Sequence, residues 1–197
     1  MKIAILILAA GASRRMKGRD KLLEEIEGCP LLVKIVQNGA ASGCKVGVTL
    51  PDLTGPRARV LKEFSKVELI EVATASQGMS QSIVAGVSAF SDADALMILP
   101  ADMPDITASD ISEMVGFYAQ VPKATILRAT NDMGDAGHPV IFPHDLFADL
   151  ANISGDQGAQ SVVKRNKCRV MEFPLPGSHA TTDLDTPEAW QTWRNLK

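Results

Sequence analysis

Six apolar residues in unbroken succession, Ile3-Ala4-Ile5-Leu6-Ile7-Leu8, pass directly into the small residues Ala9-Ala10-Gly11-Ala12-Ser13. A strand with one face in water alternates apolar and polar side chains, so an uninterrupted run asks for cover on both faces. Sheets flanked by helices on both sides meet that demand, with parallel strands joined by helical crossovers. With Met1-Lys2 ahead of it the segment also resembles a short signal peptide. A doubly buried strand has the same composition, however, and we read it as that. It is far shorter than the roughly 20 apolar residues of a membrane span, and no other stretch is long enough, so no membrane partner is expected.

Comparable runs recur along the chain. Strands are expected at Lys2–Leu8, Lys45–Leu50, Val67–Val72, Ala95–Leu99, Ala124–Arg128, Pro139–Phe142 and Arg169–Phe173. Between them lie helical patterns. Pro30 opens one, Leu31, Leu32, Ile35 and Val36 give it an apolar face, and Gly43 follows its end. Thr107 with Asp110 three residues on reads as an N-cap ahead of Ile111, Met114, Val115 and Tyr118. A last helix starts at Thr186-Pro187-Glu188. The alternation predicts an α/β chain with a mostly parallel sheet, in one domain over residues 1–197.

The formal net charge of −3 and the lack of any Lys/Arg-rich block exclude non-specific nucleic-acid binding. Cys29, Cys44 and Cys168 lie far apart, and His138, His144 and His179 show no paired-ligand spacing. Neither a disulfide framework nor a zinc site is expected, and a cytoplasmic location fits best.

Beyond the first run comes Leu8-Ala9-Ala10-Gly11-Ala12-Ser13-Arg14-Arg15-Met16, then Lys17-Gly18-Arg19-Asp20-Lys21. Small residues let backbone N–H groups approach a phosphate chain, and Arg15 and Lys21 supply positive charge. A Walker A loop would need glycine at Met16 and a dinucleotide fingerprint would need one at Ser13. The residues alone allow an anion cradle or a solvated basic turn. Asp102 follows the run Leu96-Met97-Ile98-Leu99 within Pro100-Ala101-Asp102-Met103-Pro104. It reads either as a turn residue or as a hard oxygen ligand for Mg²⁺. Gln77-Gly78-Met79-Ser80-Gln81-Ser82 precedes the apolar helix expected at Ile83 to Phe90, where serine first suggests capping. In Asp183-Leu184-Asp185-Thr186-Pro187-Glu188, an extended backbone would put both aspartates on one face, or Asp185 caps the last helix.

Together these segments, spanning residues 3 to 188, resemble the nucleotidyltransferase superfamily that includes the molybdenum-cofactor enzymes. The resemblance is nearest to the molybdenum cofactor cytidylyltransferase-like proteins. It implies a three-layer α/β/α Rossmann-like fold with a mixed, mostly parallel sheet. It implies that Leu8, Ala9, Ala10, Gly11, Ala12 and Ser13 hold a triphosphate that Arg15 and Lys21 neutralise, and that Gly78, Ser80 and Ser82 read base and ribose. Asp102, as the Asp-Met-Pro aspartate, would bind Mg²⁺ with Asp183, Asp185 being the other possibility. His138 of Gly137-His138-Pro139 and Asp156 of Gly155-Asp156-Gln157-Gly158 would lie on the acceptor side. The family's usual glycine after Arg-Met is here Lys17, with Gly18 next.

The expected reaction is in-line attack by an acceptor phosphate oxygen on the α-phosphorus of an NTP, releasing pyrophosphate. Arg15, Lys21 and Asp102 carry it by positioning and electrostatics. The Ala-Ala-Gly opening, Gly-Met-Ser and Gly-His-Pro favour CTP and molybdopterin over a GTP-using guanylyltransferase. From another class, a serine hydrolase would use Ser80, with Asp102 and His138 following in chain order. A nucleotide sensor without turnover is a third reading.

Overall fold

The computed structural model describes residues 1–155 and 158–196. Its first strand, β1 (Ile3–Leu8), is covered on both faces as the unbroken run requires. Ile3, Ile5 and Ile7 enter one core and Ala4 and Leu6 the other. Around it the chain forms β4 (Lys45–Leu50), β5 (Val67–Glu71), β6 (Ala95–Pro100), β7 (Ile126–Thr130), β8 (Ala136–Pro143) and β9 (Val170–Pro174). Among the described residues these make one sheet of seven strands in the order β5-β4-β1-β6-β8-β7-β9. β8 runs antiparallel to β6 and β7, while the other pairings are parallel. The sheet is mixed and mostly parallel.

Helices cover both faces. Helix α1 (Leu31–Ala41), α2 (Pro56–Val60), α4 (Ala108–Tyr118) and α7 (Pro187–Asn195) feed the core that receives Ile5, through residues such as Ile35, Ala58, Ile111 and Trp190. Helices α3 (Met79–Ala89), α5 (Phe147–Ala151) and α6 (Gln160–Arg165) feed the other, through Ile83, Leu150 and Val162. The fold is the three-layer α/β/α Rossmann-like arrangement. No helix among the described residues is long and apolar enough to cross a membrane.

The helix boundaries follow their chemistry. Thr107 and Asp110 form a reciprocal capping box on α4, and the Thr186 hydroxyl accepts from Ala189 N–H at 3.1 Å ahead of α7. A small hairpin of β2 (Glu25–Ile26) and β3 (Cys29–Pro30) was not expected. Two-residue strands carry no periodicity to read.

The pairing register positions the site. Leu8 of β1 lies opposite Pro100 of β6. The two strands therefore end side by side, and the loops leaving them meet at one edge of the sheet, where open α/β sheets bind ligands.

Candidate active site

The loop after β1 is anchored from below by Met16, which is fully buried, within a short 3₁₀ turn at Arg14–Met16. Ser13 and Lys17 on either side of that turn are left-handed, with φ of 49° and 53°. Glycine is the residue that takes this conformation without a Cβ clash, which accounts for the glycine that the resemblance implies where Lys17 stands. The Lys17–Glu188 ion pair at 2.7 Å is exposed on both sides and contributes little. Lys17→Gly is therefore expected to stabilise the fold by about 0.5–1 kcal/mol. Urea unfolding of the two proteins checks this, and a lower midpoint in the variant would contradict it.

Arg57, on α2, was not singled out from sequence. It reaches across beneath the loop, and its side chain is buried. Nε donates to Asp20 Oδ2 at 2.7 Å and Nη2 to Asp20 Oδ1 at 2.8 Å and Ser13 Oγ at 3.1 Å. Nη1 donates to the carbonyls of Ala9 and Gly11, at 2.6 and 2.7 Å. The only local hint in sequence was Gly55-Pro56, a helix opening; the contacts themselves are tertiary.

Lys21 and Asp102 meet. The Lys21 ammonium is ion-paired to Asp102 Oδ2 and donates to Asp185 Oδ1 at 2.7 Å. Arg15 pairs with the other oxygen of Asp185 at 2.6 Å. Burial pulls the Lys21 pKa down, but the Asp102 charge and hydrogen bonds to both carboxylates outweigh it and hold the ammonium above its ordinary value. The Leu184 N–H donates to the Asp102 carbonyl at 3.1 Å, tying the late segment to the loop after β6.

Asp185, rather than Asp183, is thus the second carboxylate at the cation. It lines the cleft, whereas Asp183 is exposed and does not. Leu184 between them is buried and packs into the core, fixing this stretch of chain. Partial loss of hydration, then the Asp185 charge and a hydrogen bond to it, raise the Asp183 carboxyl. Asp185 is held low: hydrogen bonding to Lys21 and the charges of Lys21 and Arg15 outweigh its own desolvation.

No group of three or more His, Cys, Asp or Glu side chains among the described residues clusters as a metal cage. Mg²⁺ does not need one; one or two carboxylates and substrate phosphates suffice. Asp102 and Asp185, already converging on one cationic group, fit that donor set.

A cleft of about 690 Å³ opens over this cluster. Leu8, Ala10, Gly11, Ala12, Ser13, Arg15, Lys21 and Asp102 line its floor, and Gly78, Met79 and Ser82 line a wall. Two expected nucleotide contacts lie elsewhere. Ala9 is buried, its N–H bonded to the Thr49 carbonyl. Ser80 is fully buried because α3 starts at Met79, earlier than its apolar pattern suggested, turning that serine inward.

The hydrolase reading fails on the same geometry. Among the described residues neither Ser80 Oγ nor His138 Nδ1 has a hydrogen-bond partner, so the two are not joined as nucleophile and base. A 3₁₀ turn at Ala75–Gln77 stands between β5 and α3 where the sharp elbow would be.

His138, near the start of β8, lines a second, small cavity of about 80 Å³ with Arg128, Val140 and Met79, and Met79 also faces the main cleft. A Cβ on Gly137 would lie 1.8 Å from the Ala180 carbonyl oxygen, so this approach requires glycine. The same carbonyl accepts from His138 N–H at 2.9 Å. Burial first, then the Arg128 charge, push the His138 pKa below its ordinary 6.5, against a hydrogen bond to the Ile98 carbonyl and the Asp102 charge. In acid the unfolded chain therefore binds this proton before the folded one. The associated stability is present above about pH 6.5 and is lost as the pH falls below it toward the lower folded value. Unfolding free energy measured from pH 7.5 to 5.5 should fall less steeply in His138→Asn than in the unaltered chain; parallel slopes would contradict this. Asp156, expected on the same side, lies outside the described residues.

Comparison with known proteins gives a consistent result. Residues 5–170 match the MobA-like NTP transferase domain family. The bifunctional protein GlmU of Pelotomaculum thermopropionicum is 28% identical over 140 residues, 70% of this chain and 30% of GlmU. The chain thus spans about 30% of the length of the curated relatives it matches. Rv0371c from Mycobacterium tuberculosis H37Rv superposes with a TM-score of 0.80 at 21% identity, covering 100% of this chain and 97% of that one. The complex of Rv0371c with manganese gives 0.74 at 20% identity over 98% and 97%. Those two likenesses are of fold.

Proposed function

The chain belongs to the MobA-like NTP transferase domain family and is a nucleotidyltransferase, and from that premise we propose that it transfers CMP from CTP to a phosphorylated acceptor, molybdopterin. The observation that carries this reading is the convergence of Lys21, from the loop after β1, on Asp102 and Asp185, beside a floor of small residues. Cytidine rests on the Ala9-Ala10-Gly11, Gly78-Met79-Ser80 and Gly137-His138-Pro139 elements.

In this mechanism an acceptor phosphate oxygen attacks the α-phosphorus. The new P–O bond forms as the bond to the β-phosphate bridging oxygen breaks, and that electron pair leaves with pyrophosphate. The nucleophile is already anionic, so no strong base is required; the obstacle is repulsion between anions. The loop amides hold the β- and γ-phosphates, and Arg15 and Lys21 turn from their carboxylates to the developing negative charge. Asp102 and Asp185 would hold Mg²⁺. When bound, that ion neutralises phosphate oxygens and keeps the chain of phosphates in line. A divalent ion also fits the manganese complex of Rv0371c. His138 and Arg128 stand on the acceptor side.

The test is pyrophosphate release with CTP or GTP, Mg²⁺ and molybdopterin. Release with CTP and acceptor together, and not with either alone, is the expected result. Release with GTP only would replace cytidine by guanosine; NTP binding with no release on any acceptor would favour the sensor reading.

A further inference from the structure

We infer that Arg57, backed by Asp20, is the positioning residue that aims the triphosphate loop, and that the preference for a triphosphate over a monophosphate depends on it. The inference rests on the nucleotidyltransferase reading of the site and goes beyond it, because Arg57 lies outside the motifs that suggested that reading.

A guanidinium has five N–H donors in a rigid plane. Here all five directions are used: two toward Asp20, one toward Ser13 Oγ and two toward the carbonyls of Ala9 and Gly11. Arg57 therefore has no N–H left for a phosphate, and its effect passes through the loop. The peptides after Ala9 and Gly11 are trans. In a trans peptide the C=O and the N–H of the next residue point in opposite directions. Drawing the carbonyls of Ala9 and Gly11 down to Arg57 thus turns the N–H groups of Ala10 and Ala12 the other way. Ala10 and Ala12 both line the cleft. Among the described residues the amides of Ala10, Gly11, Ala12 and Ser13 donate to no protein acceptor. A run of aimed, unshared amides is an anion nest.

Asp20 completes the device. Its Oδ1 also accepts from Leu22 N–H at 3.1 Å and from Ser13 Oγ at 3.3 Å, and the Lys21 N–H points to Ser13 Oγ at 3.4 Å. The same carboxylate that locks Arg57 thus fixes the start of the segment carrying Lys21. Amide direction and ammonium position are set by one ion pair, Arg57–Asp20, which borders the cleft with its N–H groups already committed to protein acceptors.

The experiment is calorimetric titration of CTP, CMP and inorganic pyrophosphate, with a guanosine series in parallel, into the unaltered chain, Arg57→Ala, Arg57→Lys and Asp20→Asn. Arg57→Ala is expected to cut the CTP-over-CMP affinity ratio by about tenfold while leaving CMP affinity within about twofold, because the monophosphate does not reach the nest. Arg57→Lys should not restore the ratio, since an ammonium cannot span the five acceptors. A lower melting temperature with an unchanged ratio would make Arg57 a merely structural residue and overturn the inference. Should Arg57→Ala not fold, Asp20→Asn, which keeps the guanidinium but loosens its lock, decides it: a ratio reduced about threefold supports positioning, and an unchanged ratio overturns it. If the unaltered chain binds neither NTP more tightly than its NMP, the nucleotidyltransferase reading of this cleft fails, and the inference with it.

Discussion

Replacing Asp102 by asparagine should lower pyrophosphate release about a thousandfold while the protein still folds. The substitution keeps the shape of the side chain and removes the charge that both the Lys21 ammonium and a divalent ion would answer to. It leaves β6 untouched, since the strand ends at Pro100 and is held by its ladder to β1 and β8. Asp102 also offers its carbonyl to Leu184 N–H, a bond that survives the change because it is made by the main chain. Two measurements are needed together: steady-state pyrophosphate release and a thermal melt. Turnover within about tenfold of the unaltered enzyme, with a normal melt, would remove the carboxylate from the mechanism.

Lys21→Met is the second large effect, expected at about a hundredfold in turnover. The methionine fills the same space without the ammonium. Lys21 and its two carboxylates are each largely shielded, with side-chain exposures of 13%, 19% and 23% for Lys21, Asp102 and Asp185. Without the cation Asp102 loses its ion pair and Asp185 keeps only that with Arg15, and the ligand-free fold should lose roughly 2 kcal/mol, less than a fully buried pair would cost. Added Mg²⁺ should recover more melting temperature in the variant than in the unaltered chain, because the ion answers to the same two carboxylates. Equal Mg²⁺ responses would argue that the ammonium and the ion do not share this position.

Much of the fold could be read before any coordinates, for a physical reason. The main-sheet strands that lie inside are long apolar runs, and burial on both faces writes itself into consecutive residues. Lys45–Leu50 was read to the residue, and Ala95–Leu99 to within one. The start of α3 was misjudged because Met79, Ser80 and Ser82 precede the apolar repeat, yet belong to its first turn. That displacement of four residues buried Ser80 and left Ser82 at the cleft. The short hairpin at Glu25–Pro30 left no pattern at all. Within the site, Arg15, Lys21 and Asp102 were legible because each sits in a compact motif beside a strand end. Arg57 was not. It lies in Pro51-Asp52-Leu53-Thr54-Gly55-Pro56-Arg57, a stretch with the look of an ordinary exposed turn, and its partners are 37 to 48 residues away. Which of Asp183 and Asp185 meets Lys21 was equally out of reach, since that contact joins residues 164 apart in the chain.

The reversed strand β8 has a consequence for how such a molecule could change its taste in substrates. Because β8 travels against its neighbours, it contributes its beginning, not its end, to the functional rim, and Gly137 and His138 arrive there directly from the bend at 131–135. That bend is closed on itself by Asn131, whose side-chain oxygen takes the amides of Met133 and Asp135. Met133 projects from it almost bare to solvent, at 83% exposure. Extra residues spliced in at Met133 would grow outward over the rim without shifting the ladder below. Evolution or an engineer could thus remodel the proposed recipient's berth while the nucleotide grip, built on the parallel half, stays as it is.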